Sequence, residues 1–169
     1  MNDAKALGYV VVTDFIEANT GKDVSDAIQK IINENPHRTI FFPDGEYILA
    51  KPICTSGNPA NAVSIHLSDF ATLKASDDWS DSEAMVRLGA AEPFNTIYVN
   101  GSNYYFTGGI VDGNMKANGI AIESGRETCI HHVSIKHTFI GLHIKRGANS
   151  GSSDSDIETF FVNTQVLQS

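Results

Sequence analysis

The amino-acid sequence predicts an all-β protein of solenoid type, a parallel β-helix capped at its N-terminus by one amphipathic helix. Three observations carry the prediction. A single helical stripe stands near the start, and only short β runs follow it, separated by Gly, Asn, Asp and Ser. Those runs also recur: Gly119-Ile120-Ala121-Ile122-Glu123 returns about 22 residues later as Gly141-Leu142-His143-Ile144-Lys145.

The helix is predicted over Asp23 to Asn35. Val24, Ala27, Ile28, Ile31 and Ile32 follow the i, i+3, i+4, i+7, i+8 spacing of one buried stripe. Asp23 reads as the N-cap, Asp26 favours the positive end of the dipole, and Pro36 ends the helix. At about 13 residues it is marginal alone, so it lies against something. No second helical pattern is visible.

An apolar run, Tyr9-Val10-Val11-Val12, precedes the helix. After it come a strand at Thr39–Phe42, a turn at Pro43-Asp44-Gly45 and a strand at Tyr47–Leu49. Further runs are Val63–Leu67, Met85–Leu88, Thr96–Val99, Tyr104–Ile110, Gly119–Glu123, Ile130–Lys136, Gly141–Lys145 and Ile157–Asn163.

The recurrence separates a solenoid from a sandwich of short strands. Ile97 and Ile120 stand about 23 residues apart, as do Ile110 and Val133, and Ile65 and Val86 about 21. Leucine-rich repeats are the rival solenoid, but their Leu-x-x-Leu-x-Leu pattern is missing. Alternation assigns the faces: Ile120, Ile122, Leu142 and Ile144 inward, Ala121, Glu123, His143 and Lys145 outward. The chain is read as one domain over 1–169, with the strand and cap helix in 1–36 and the coils in 37–169. Roughly six coils at about 4.8 Å each make a rod about 25–30 Å long. A helix across the open end covers unpaired edge groups and apolar interior. Val166-Leu167-Gln168-Ser169 forms no recognisable cap, which leaves two expectations: a fragment with further coils, or an end covered by another subunit, as in a homotrimer.

Composition narrows the function. Of 169 residues 41% are hydrophobic and 19% charged, enough apolar content for a core. Twelve Lys+Arg against 20 Asp+Glu leave a net charge of −8, which counts against binding a nucleic-acid backbone. Met1-Asn2-Asp3-Ala4-Lys5 is too polar for a signal peptide, and no run approaches the roughly 18 apolar residues of a membrane span. Cys54 and Cys129 make neither a disulfide framework nor a zinc site and read as small buried hydrophobes.

Four segments carry a resemblance. They are Val12-Thr13-Asp14-Phe15, Asp23-Val24-Ser25-Asp26-Ala27-Ile28-Gln29, Ile40-Phe41-Phe42-Pro43-Asp44-Gly45-Glu46-Tyr47 and Gly108-Gly109-Ile110-Val111-Asp112-Gly113-Asn114. With them the sequence resembles the pectate-lyase superfamily of right-handed parallel β-helices, polygalacturonases and phage tail spikes among them. It departs at the cap loop, where Ile16 replaces the usual Gly and Asn19-Thr20-Gly21-Lys22 replaces a Gly-Asp-Gly loop. The resemblance implies a polysaccharide or oligosaccharide as partner, cleaved by a hydrolase or lyase, and an extracellular or virion-associated location. A fold of this kind carries many functions, so activity is a separate question.

The family's hydrolases use an Asn-Thr-Asp, an Asp-Asp, a Gly-His-Gly and an Arg-Ile-Lys. Here only Asp77-Asp78 is present, with His143-Ile144-Lys145 and Arg146 as the nearest match to the last. The catalytic candidates are Glu123, His143, Asp112 and Lys145. A coil of about 22 residues sets Glu123 under Lys145, either as a surface ion pair or as a substrate-facing acid with cations beside it. Asp112 lies in a Gly-rich turn, where it either ties up backbone N–H groups or serves as an acid. Tyr98, His132, Arg146 and Trp79 are the substrate-binding candidates, with core packing as the alternative for the rings. Tyr104 and Tyr105 are further aromatics among which an outward, sugar-stacking ring is a candidate, with the same core alternative. Of His131 and His132 one is expected inside, and a metal role for these with His137 lacks an acid at matching spacing. No cofactor is expected; calcium in the loop 147–156 is the alternative its aspartates leave open, although their spacing matches no known loop. Two functions follow: a polysaccharide-cleaving enzyme, or a non-catalytic glycan-binding or structural module of a tail spike, adhesin or wall-associated protein.

Overall fold

The computed structural model describes residues 2–91, 105–123, 128–144 and 159–162. In chain order the elements are α1 (Asn2–Ala6), β1 (Val10–Val11), α2 (Ser25–Glu34), β2 (Thr39–Phe42), β3 (Gly45–Leu49), β4 (Ile53–Ser56), β5 (Ser64–Leu67), β6 (Ala71–Ala75) and β7 (Ala84–Ala91). They continue with β8 (Tyr105–Thr107), β9 (Ile110–Asp112), β10 (Asn118–Ile122), β11 (Cys129–Lys136), β12 (Leu142–Ile144) and β13 (Thr159–Val162). The protein is mostly β, and every strand pairing among the described residues is parallel.

The strands stack in three columns. The first runs β1-β2-β5-β8-β11, with β13 also on β11. The second runs β3-β6-β9 and ends on the second half of β11, which is long enough to pair with both β8 and β9. The third runs β4-β7-β10-β12. Such stacking is compatible with a parallel β-helix. Alternation places Ile40, Leu73, Val86, Phe106, Val111 and Ile135 in one shared core.

The circuits are less uniform than the predicted period. That period holds where Ile120 pairs with Leu142. It is longer where Tyr47 pairs with Leu73, and longer again where Val86 pairs with Ile120. Ile65 therefore partners Phe106, not Val86, and Ile110 partners Ser134 instead of Val133. Pairing constrains the strands alone, while the turns between columns absorb insertions cheaply. The strand predicted at Thr96–Val99 lies outside the described residues.

Three elements escape the sequence pattern. Helix α1 is a single short turn, Asn2–Ala6, too brief for periodicity. Strands β4 (Ile-Cys-Thr-Ser) and β6 (Ala-Thr-Leu-Lys-Ala) lack the aromatic and β-branched runs by which the others were read. The cap of α2 is also shifted. Val24 occupies the N-cap, and Asp23 accepts hydrogen bonds from the Ser25 N–H (2.9 Å) and Ala50 N–H (3.0 Å).

Residues 10–34 cover the first edges of the columns. Strand β1 pairs with β2, and the Val24 N–H donates to the Ile48 carbonyl (2.9 Å) in β3. At β4 a side chain takes the place of a strand: Gln29 Nε2 donates to the Cys54 carbonyl (2.9 Å), and its Oε1 accepts the Cys54 N–H (2.7 Å). Ile28, Ile31 and Ile32 of the same helix enter the core. Neither cysteine is in a disulfide, and both are half-buried where full burial was expected; burial pushes the Cys54 thiol up.

Candidate functional site

The second column turns a charged row outward. Lys74 of β6, Asp112 of β9 and Lys136 of β11 are neighbours in register, one strand apart. The interval from Asp112 to Lys136 is one position longer than the one linking Ile110 to Val133, and the shorter interval would have set Asp112 beside Ile135.

Asp112 is 8% exposed and fully engaged. Its Oδ1 accepts the Asn114 N–H (2.9 Å) and meets His137 Nδ1 (2.9 Å), and Lys136 Nζ stands 3.5 Å from Oδ2. Desolvation works to raise its pKa. The hydrogen bonds from Asn114 and His137 and the Lys136 charge outweigh it, so the carboxyl is held below the ordinary range. The expectation that Asp112 ties up a backbone N–H holds, and the same oxygen also orients a histidine.

His137 is the exposed partner, its side chain 55% accessible. With Nδ1 on Asp112, Nε2 is the nitrogen left for chemistry. Asn114, Met115 and His137 all adopt left-handed backbone, with φ of 52°, 57° and 52°. Such conformations cost about 1–2 kcal/mol per non-glycine residue and gather at functional sites. Asn114 Nδ2 also donates to Asp77 (2.9 Å) and to the Ala75 carbonyl (3.1 Å), bringing a second carboxylate to this turn.

The third column places Glu123 and His143. Ala121 pairs with His143 as predicted, yet it is fully buried, between Arg87 and His143 in register. Glu123 is held by Arg87 through two hydrogen bonds, Nε to Oε1 (2.7 Å) and Nη2 to Oε2 (2.9 Å). The Glu123 bonds raise the guanidinium further. His143 is exposed, while Ile144 keeps register with Ile122 but is 46% exposed, because β12 is the last described strand of its column.

Trp79 is 7% exposed and donates its indole N–H to the Asp81 carbonyl (2.8 Å), so its ring lies in the core. His132 is exposed at φ 52°, and its ring stacks on His131 at 6.2 Å. Neither histidine enters the core: the left-handed kink at His132 breaks the strict alternation on which the inward assignment rested. Tyr98, Tyr104, Lys145, Arg146 and the loop 147–156 lie outside the described residues. The sequence reading missed the Asp112–His137–Lys136 grouping and Arg87 altogether. The available signal was the slightly longer interval linking Asp112 to Lys136.

A family model described as rhamnogalacturonase A/epimerase, pectate lyase-like, matches residues 9–164. The chain belongs to this pectate lyase-like family. Searches of curated proteins and of solved structures returned no match. Membership makes this pectate lyase-like protein carbohydrate-active in kind. Among its described residues no helix is long and apolar enough to cross a membrane.

Proposed function

We propose that the chain winds as a right-handed parallel β-helix and cleaves an acidic polysaccharide on the outer face of its second column. One observation supports this above the rest: a nearly buried carboxylate, Asp112, orients the exposed ring of His137 while Lys74 and Lys136 flank it in register. A neutral histidine whose Nδ1–H points to a carboxylate presents Nε2 as a base. A uronate on this row sets its carboxylate against the ammonium groups of Lys136 and of Lys74, the latter shared with Glu46 (3.2 Å), which acidifies the hydrogen on the adjoining carbon. His137 takes that proton, its electron pair forms the new C=C bond, and the C–O bond to the next sugar breaks. The departing alkoxide oxygen gains a proton from water. Action on such a polymer fits a protein outside the cell or on a virion, and a sizing column tests the homotrimer.

Incubation with acidic and neutral polysaccharides, following unsaturated-uronate absorbance and new reducing ends together, tests the reading. Both signals are expected on an acidic polymer, and His137→Gln should lower turnover about 10²-fold or more. Reducing ends alone mean hydrolysis, for which Asp112 and Asp77 are the carboxylates at hand. Silence on every polymer means a binding or structural module. Glu123, with both oxygens on Arg87, serves better as a structural anchor than as a proton carrier. Glu123→Gln should then lower stability by about 1–3 kcal/mol in a denaturant titration and leave turnover within a few-fold of wild type. A loss of orders of magnitude would instead move the reaction centre to the third column, beside His143.

A further inference from the structure

The outer face of the first column differs in chemistry from the second. Its two outward rows are Thr39–Ser64–Tyr105–Cys129 and Phe41–His66–Thr107–His131, each residue beside the next on neighbouring strands. None of these eight residues is a carboxylate, lysine, arginine or aliphatic side chain; on β1 the buried Val11 stands beside Phe41 in register, and Asp69 lies close enough to His66 to act on its charge. Tyr9 joins them from just before β1. Its ring lies 6.3 Å from Phe41 and 6.0 Å from His66, and Phe41 and His66 meet edge-on at 5.3 Å. Tyr105 is 42% exposed. Burial lowers the His66 pKa, which favours a neutral ring in this cluster.

We infer that this face is a second carbohydrate-binding surface, one that takes uncharged sugar residues. Rings interleaved with hydroxyls match a neutral pyranose, which offers apolar C–H faces for stacking and hydroxyls at its rim for hydrogen bonds. A protein partner is matched less well, since interface cores draw on larger contiguous apolar area. The rows repeat with the strand spacing of about 4.8 Å, so successive sugars of a chain lying along the columns meet equivalent positions. The inference rests on the carbohydrate-active reading but not on the Asp112 row: one face meets charged sugars and the other uncharged ones.

Affinity electrophoresis of the full chain through gels containing galactan, xylan or polygalacturonate tests it. Galactan or xylan should retard the wild-type protein. His66→Ala with Tyr105→Ala should weaken that retardation by at least about fivefold. Tyr105→Ala alone, at an exposed position, should give part of the loss with an unchanged melting temperature. His137→Gln should bind the neutral polymers as wild type does. Failure of both neutral polymers to retard the protein, or wild-type retardation of the double variant, overturns the inference. Neutral-polymer binding that persists without any cleavage of acidic polymer overturns only the Asp112 reading.

Discussion

Asp112 carries opposing influences on its charge. Burial raises its pKa, while Asn114, His137 and Lys136 lower it, and the lowering wins. A carboxyl held below its unfolded value stabilises the fold above that value and loses the contribution as pH falls through the folded pKa. Asp23, also lowered against burial by the bonds from Ser25 and Ala50, carries the same sign. Unfolding free energy measured by urea titration should therefore decline from about pH 5 to pH 2, and more steeply in wild type than in Asp112→Asn. Parallel curves for the two proteins would show that Asp112 gains nothing from its partners. The sequence pointed to Asp112 through its Gly-rich motif. It offered His137 only beside the other histidines as a metal candidate and passed over Lys136, because which residue lies beside which depends on a circuit length that varies widely along the stack.

Helix α2 was legible from its spacing, including the buried Ile28, Ile31 and Ile32. Its second task was not legible. Gln29 stands off the predicted apolar stripe, and its amide completes the edge of β4 by bonding both backbone groups of Cys54. Gln29→Ala leaves a part-buried N–H and C=O without those partners and should cost about 1–3 kcal/mol in chemical denaturation. Gln29→Glu keeps the acceptor for the Cys54 N–H but loses the donor, and should cost as much or more. A cost below about 0.5 kcal/mol for both would mean that water replaces the clamp.

The three columns share one core that runs from Ile28 in the cap to Ile122 in β10. Sharing predicts one cooperative transition. Trp79, the single tryptophan, lies in that core and reports on it. Ile28→Ala and Ile122→Ala should each destabilise by about 2–5 kcal/mol. In both variants Trp79 fluorescence and far-UV circular dichroism should melt together. Separate transitions would show that the cap unfolds apart from the circuits. In the second column each lysine is matched by a carboxylate, Lys74 by Glu46 and Lys136 by Asp112.

Short-range information in the chain was enough for its strand-rich class, its amphipathic helix and the inward set Ile120 and Ile122. These follow from periodicity and turn chemistry, which act over a few residues. The partners across strands were decided in three dimensions: Arg87 on Glu123, His137 on Asp112, Gln29 on Cys54. Each depends on how many residues the turns insert between stacked strands, and turn length varies at little energetic cost while strand register does not.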